Sequence, residues 1–301
     1  MATERELNNR IRSVRNISQV TSALAAVSAA KASKAQKQVQ ASRDYAAKAY
    51  AILVNLASQP GAGETAHPLL TARTEIKNSA VILITGDRGL AGAYNANIVA
   101  FTERFIRALP HETQIIAVGR KGRDLMVRRG YNVIASFDGI ADEPTIFDIA
   151  PIADIAINDY LSGKVDDVFV AYTDFVSLVQ RDPTVTQLLP LKPLDLEEMA
   201  VSEFVADVDV DLAASQIYSY EPSAEALLNE IVPRFTELQI YQAVLEAKAS
   251  EHSARMVAMN NATDNAAELI DFLILERNKA RQTGITNEIL DIVGGAEALR
   301  S

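Results

Sequence analysis

The sequence predicts an α/β domain set between two long terminal helices that pair antiparallel as a coiled coil. Three observations carry this reading. Residues 3–57 repeat apolar side chains every three or four positions, and residues 223–299 do the same at greater length. Between them, residues 78–220 alternate short apolar runs with amphipathic stretches. Two long amphipathic helices at opposite ends of one chain cannot bury their stripes alone. Running antiparallel, with the α/β domain at the join, each covers the other. The expected domains are therefore 1–58, 78–220 and 223–301.

The first helix is argued from continuity. Between Glu4 and Gln59 there is no Pro and no Gly. Leu7, Ile11, Val14, Ile17, Val20, Leu24 and Val27 form an apolar stripe, which Val39, Ser42, Ala46, Ala49, Leu53 and Leu56 extend. A single helix here would be about 80 Å long. The run Gln59-Pro60-Gly61-Ala62-Gly63 ends it.

In the middle, Val81–Thr85 reads as a short buried strand. A Gly-rich loop follows it, then an amphipathic helix over 93–109. Further strands are expected at 114–118, 131–135 and 168–172, with helices at 120–129 and 145–162. Edge strands are expected at 184–191 and 217–220. Strands alternating with helices imply a mostly parallel sheet.

In the last zone Ser223 can cap a helix start. A seam then runs in steps of three or four from Leu228 through Gln242, His252, Thr263 and Arg277 to Gly284. It slips by one residue to Ile285, Ile289, Ile292, Ala296 and Leu299. This is a heptad pattern with a late slip. The helix would run roughly 115 Å, with Pro233 able to kink its first turns and Gly284, Gly294 and Gly295 weakening its end. It is longer than the first helix, so its end should lack a partner within the chain.

Composition narrows the function. An apolar share of 49% and a charged share of 23% are those of an ordinary soluble protein. The absence of cysteine excludes a disulfide framework, a thiolate nucleophile and a cysteine metal site. No apolar run approaches the roughly 20 residues of a spanning helix. The charged start of the chain does not read as a secretory signal, so work at a membrane would require another protein as anchor. Residues 1–48 hold nine Lys and Arg against three acids, while residues 137–230 hold 20 Asp and Glu against Lys164, Arg181 and Lys192. Such asymmetry usually reflects solvated faces; the alternative is a basic arm that meets an acidic partner, and the acidic bulk argues against nucleic acid.

Catalytic chemistry is hard to find. His67, His111 and His252 have no metal-ligand neighbour at the usual helical spacings, and His252 falls on the seam as a packed histidine. No P-loop is present. The best candidate is Gly86-Asp87-Arg88-Gly89-Leu90-Ala91-Gly92, placed between a strand and a helix where open α/β sheets bind ligands. Its glycine spacing is not that of a dinucleotide loop. Asp87 and Arg88 either hold a phosphate or, the reading favoured, fix a tight turn. Asp195, Glu197 and Glu198 read as an exposed loop. No catalytic residue, cofactor or metal is expected.

Four segments resemble one family, the gamma subunits of F-type ATP synthases. They are ELNNRIRSVRNISQVTSALAAVSAAK (6–31), ITGDRGLAGAYNAN (84–97), ARMVAMNNATDNAAELI (254–270) and NKARQTGITNEILDIVGGAEAL (278–299). The resemblance implies an antiparallel coiled coil beside a Rossmann-like domain. It also implies a role: the central shaft of a proton-translocating ATP synthase, without an active site, threading three alpha and three beta subunits. The epsilon subunit and a ring of c subunits would hold its foot at the cytoplasmic face of the cell membrane. By the same resemblance, Thr21, Ser22, Leu24, Arg281, Gln282, Thr286 and Glu288 are expected to meet the catalytic hexamer, and Tyr218 and Glu221 the rotor ring. The chain departs from the family at Gln19-Val20-Thr21-Ser22-Ala23-Leu24, where relatives often carry two lysines, and at Ala91, where they often carry cysteine. Two rival readings stand beside this one. A nucleotide-binding α/β enzyme would need the loop at 86–92 to take a ligand. A passive coiled-coil scaffold would self-associate through its seam.

Overall fold

A computed structural model describes residues 3–57, 67–178, 180–191 and 224–298. The order is α1 (Glu4–Ala57), a 3-10 turn (Pro68–Leu70), β1 (Asn78–Ile84), α2 (Tyr94–Ala108), β2 (Glu112–Val118), α3 (Arg120–Arg128), β3 (Asn132–Phe137), α4 (Ile146–Leu161), β4 (Asp167–Phe175), β5 (Arg181–Leu189) and α5 (Ala224–Ala298). Among the described residues no helix is long and apolar enough to cross a membrane. The edge strand expected at 217–220, the cap Ser223 and the acids Asp195, Glu197 and Glu198 lie outside the described residues.

The five strands form one sheet in the order β3-β2-β1-β4-β5. Four are parallel, and β5 closes the edge antiparallel to β4. The central strand β1 is buried from Ser79 to Ile84, which is why it reads as an unbroken apolar run rather than an alternation. Its side chains still divide by the two-residue pleat. Val81 and Leu83 pack with Ile98, Val99, Ile106 and Met126 of α2 and α3. Ala80, Ile82 and Ile84 pack with Ile149, Ile152 and Ala156 of α4 and with Val232, Ile240 and Val244 of α5. The sheet is thus covered by helices on both faces, one of them part of α5.

The chain divides into two compact units, Ala29–Ala254 and Met1–Ser28 with Arg255–Ser301. In the larger unit α5 is enclosed, and no side chain from Phe235 to Ala254 is exposed. Pro233 lies inside α5 without ending it. The loop from Asp138 to Pro144 straps α1 and α5 together. Asp142 meets Lys31 Nζ at 2.7 Å and His252 Nε2 at 3.1 Å, Glu143 meets Lys34 at 2.5 Å, and Lys248 donates to the Ile140 carbonyl at 2.9 Å. Burial alone would raise the Asp142 carboxyl, but the Lys31 hydrogen bond and the charges of His252, Lys31 and Lys248 outweigh it and hold its pKa below the usual value.

In the smaller unit α1 and α5 run antiparallel. Leu7 and Ile11 pack on Leu273, while Thr21 meets Thr263. The seam differs from the expected stripe. After Val14 it passes through Ser18, Thr21, Ala25 and Ser28; within the larger unit α1 buries Ala32, Ala35 and Val39. Ile17, Val20 and Val27 are more than half exposed. From Ile17 to Val27 each expected residue is displaced by one position, about 100° around the helix, whereas Leu7, Ile11, Val39 and Ser42 are buried as expected. Small side chains are buried along this stretch, and the larger aliphatics turn outward.

Candidate functional site

The loop after β1 is where the sequence places its best ligand site, and here the protein occupies the position itself. Asp87 Oδ1 accepts from the Arg120 amide at 3.0 Å and Oδ2 from the Gly139 amide at 2.9 Å. One carboxylate therefore ties together the loops after β1, β2 and β3. The Gly86 amide donates to Asn95 Oδ1 at 2.8 Å, and the Lys121 amide to the Gly86 carbonyl at 3.1 Å. From above, α5 closes the crevice. Tyr94 Oη donates to the Ala247 carbonyl at 2.9 Å. A Cβ on Gly86 would lie 2.6 Å from Glu251 Oε1. The remaining cavity between Thr85, Asp87, Lys248 and Glu251 measures about 10 Å³. Small-molecule pockets occupy roughly 300–1,000 Å³. The aspartate fixes a turn, and a nucleotide has no room over β1 and β2.

Two buried polar groups escaped the sequence. Ser79 on β1, His111 before β2 and Asp167 on β4 meet at the opposite end of the sheet, with Ser79 Oγ hydrogen-bonded to His111 Nε2 and to the Asp167 carboxylate. Burial raises the Asp167 pKa, against the hydrogen bond from Ser79 and the charge of His111. The three types are those of a serine hydrolase, but the order is wrong. Here the hydroxyl lies between carboxylate and imidazole, whereas catalysis needs the imidazole between the other two. Ser79 is also fully buried. This is a packed polar lock.

The second group joins α1, β4 and α5. Glu246, 2% exposed, lies 3.6 Å from Arg43 Nη2 and accepts from Gln242 Nε2 at 3.2 Å. Burial, then a hydrogen bond and the negative charge of Asp174, push its pKa up to about 8, with Arg43 and Gln242 opposing. Tyr172 is raised well above its ordinary value by burial and by the charges of Glu246 and Asp174. Among the described residues no cluster of His, Asp and Glu is arranged to hold a metal.

The residues expected at partner surfaces fall in distinct settings. Thr21 is buried in the seam, its hydroxyl 3.0 Å from the Ser18 carbonyl and 2.7 Å from Thr263 Oγ1. Ser22 is exposed and Leu24 half-buried. Arg281, Gln282, Thr286 and Glu288 are all exposed, and Thr286 Oγ1 caps back to the Gln282 carbonyl at 3.0 Å. Tyr218 and Glu221 lie outside the described residues. Every side chain from Arg281 to Ala296 is exposed, including Ile285, Ile289, Leu290, Ile292 and Val293.

Comparison with known proteins decides the family. The ATP synthase family profile matches residues 3–299. The ATP synthase gamma chain of Dehalococcoides mccartyi is 45% identical over 99% of this chain and 100% of its own length. That of Moorella thermoacetica is 43% identical over the whole of both chains. The chain belongs to the ATP synthase gamma-chain family. Among solved structures, a chain of the Euglena gracilis mitochondrial ATP synthase (OSCP/F1/c-ring, rotational state 3) matches with a TM-score of 0.65 at 19% identity, over 98% of this chain and 94% of that one. At that identity the likeness concerns the fold: terminal long helices with an α/β domain between them. A gamma chain is a subunit of a larger enzyme, and over β1 and β2 the crevice is filled by the chain's own α5.

Proposed function

We propose that the chain is the central-stalk rotor of a proton-driven ATP synthase. It turns with a membrane ring of c subunits inside a hexamer of three alpha and three beta subunits, one copy per complex. The epsilon subunit is its neighbour at the foot, on the cytoplasmic face of the cell membrane. The observation that carries this reading is the full-length match to gamma chains. The exposed aliphatics of α5 beyond Ala280 and of α1 at Ile17, Val20 and Val27 support it, because patches of this kind mark surfaces covered by a partner. Ser22, Leu24, Arg281, Gln282, Thr286 and Glu288 would meet the hexamer, with Thr21 anchoring the seam behind them. Tyr218 and Glu221 would meet the ring.

Mechanically, the shaft acts by differential contact. At each angle it stabilises a different state of each catalytic site, and the populations follow. The test is a pull-down of the tagged chain from detergent-solubilised membranes, read by intact-complex mass. Three copies each of two large subunits with one of this chain support the rotor. A homo-oligomer, as the scaffold reading expects, overturns it. With Arg281→Ala and Gln282→Ala the complex should still assemble but synthesise less ATP per ion translocated.

A further inference from the structure

The crevice at the carboxyl ends of the strands is only partly closed. The strand order reverses between β1 and β4, the position at which open α/β sheets take ligands. Helix α5 fills the side over β1 and β2. On the side over β4 and β5 a cavity of about 200 Å³ remains, lined by the loop Ala91–Tyr94, Asn97, Thr173, Arg181, Pro183 and Ala254. We propose that this open half of the crevice binds a small oxyanion of the phosphate or carboxylate class.

Four features converge there. The first is the N-terminus of α2, a helix of 15 residues whose N-cap Ala93 provides no side-chain hydrogen bond. The Tyr94 amide already donates to the Ala91 carbonyl at 3.2 Å, so what this helix end offers the cavity is its dipole, which favours negative charge. The second is Thr173, only 3% exposed, whose Oγ1 has no hydrogen-bond partner among the described residues. It shares the α2 face of β4 with Ala171, on the wall of the cavity. Buried hydroxyls are nearly always paired, so an unpaired one at a cavity wall points to a missing ligand. The third is Arg181, paired across the ladder with Phe175 and therefore on the same side, with a guanidinium partly withdrawn from water. The fourth is the composition of the lining, which contains an arginine, an asparagine and a threonine and no carboxylate. The volume is below the roughly 300–1,000 Å³ of pockets for larger ligands. It admits a phosphate ion or a single carboxylate reaching in from a neighbouring chain, and excludes a whole nucleotide.

The experiment is isothermal titration of the full chain with inorganic phosphate and, separately, with acetate, at constant ionic strength. Arg181→Gln should weaken binding about tenfold, as expected for loss of a charge-assisted contact. Ala93→Asp places a carboxylate at the helix start, a residue type favoured there. It should abolish binding while the melting temperature stays the same or rises, which separates loss of the site from loss of the fold. One-to-one phosphate binding that Arg181→Gln weakens and Ala93→Asp abolishes supports the site with free phosphate as its ligand. Saturable binding of acetate but not phosphate supports it with a partner's carboxylate as the source. Absence of saturable binding by either ion, or binding unchanged in both variants, overturns the proposal.

Discussion

One helix lives in two environments. From Phe235 to Ala254, α5 is enclosed within the larger unit, and from Arg281 to Ala296 every side chain is exposed. The aliphatic content of the two stretches is similar, but the energetics are not. In the first, leucines and valines are already withdrawn from water and hold the sheet. In the second, the same residue types stand in water. Composition therefore says little about which role an aliphatic plays, and covering decides it. The sharpest contrast comes from substitution in the enclosed region. Ile82 on β1, fully buried beneath α4 and α5, should lose about 2–5 kcal/mol on replacement by alanine. Chemical denaturation of the isolated full chain measures this, and a loss below 1 kcal/mol would break the contrast.

A second effect of the enclosure is electrostatic. The Glu246 carboxyl ionises near 4.5 when unfolded and near 8 in the folded chain. Between these values unfolding releases a proton, so the contribution of this group to stability is full below pH 4.5 and is lost as pH rises toward 8. Glu246→Gln, neutral in both states, should stabilise the protein at pH 7 by on the order of 1–3 kcal/mol and flatten the decline. Thermal melts at pH 5 and pH 8 check the sign. A variant whose melting temperature falls as steeply as that of the parent would place the proton elsewhere.

Asp87 sharpens the comparison at the turn. Removing a carboxylate that satisfies two backbone amides should cost about 1–3 kcal/mol for Asp87→Ala and less for Asp87→Asn. Coupling in the assembled enzyme should stay intact. If coupling failed while stability held, the loop would be more than a turn.

The sequence made the architecture legible because period and length carry it. The stretch without Gly or Pro in α1, the three-to-four spacing of α5, the alternation of strand and helix and the loop at 86–92 lie where expected among the described residues, with element ends shifted by a few residues. What escaped was choice of face and burial. The stripe through Ile17, Val20 and Val27 is the more apolar, yet the seam runs through Thr21, Ala25 and Ser28; a spacing of three or four residues is satisfied equally by either stripe. The Ser79–His111–Asp167 lock and the Glu246 joint were invisible for another reason. Their members lie on separate elements that only the folded sheet brings together. The Thr21–Thr263 pair tests the seam directly. A cycle of Thr21→Val and Thr263→Val should show a coupling of about 0.5–1.5 kcal/mol in thermal stability. Additive effects would mean that the hydroxyls do not hold the register.

The smallest expected effect on the isolated chain is at the exposed end of α5. Ile289 and Ile292 stand more than half in water, so Ile289→Ser and Ile292→Ser remove no burial and should change stability by less than about 0.5 kcal/mol. Their cost should emerge only on assembly, where the aliphatics gain cover. In the assembled enzyme these substitutions should weaken retention of the chain more than Ile82→Ala does among molecules that have folded. The ordering by stability and the ordering by assembly are therefore expected to be opposite. Denaturation of the free chain and native mass of the complex, measured on the same three variants, give both orderings. If Ile289→Ser destabilised the free chain by as much as Ile82→Ala, this end of α5 would be packed within its own chain, and its exposed face could no longer be read as the surface that meets the hexamer.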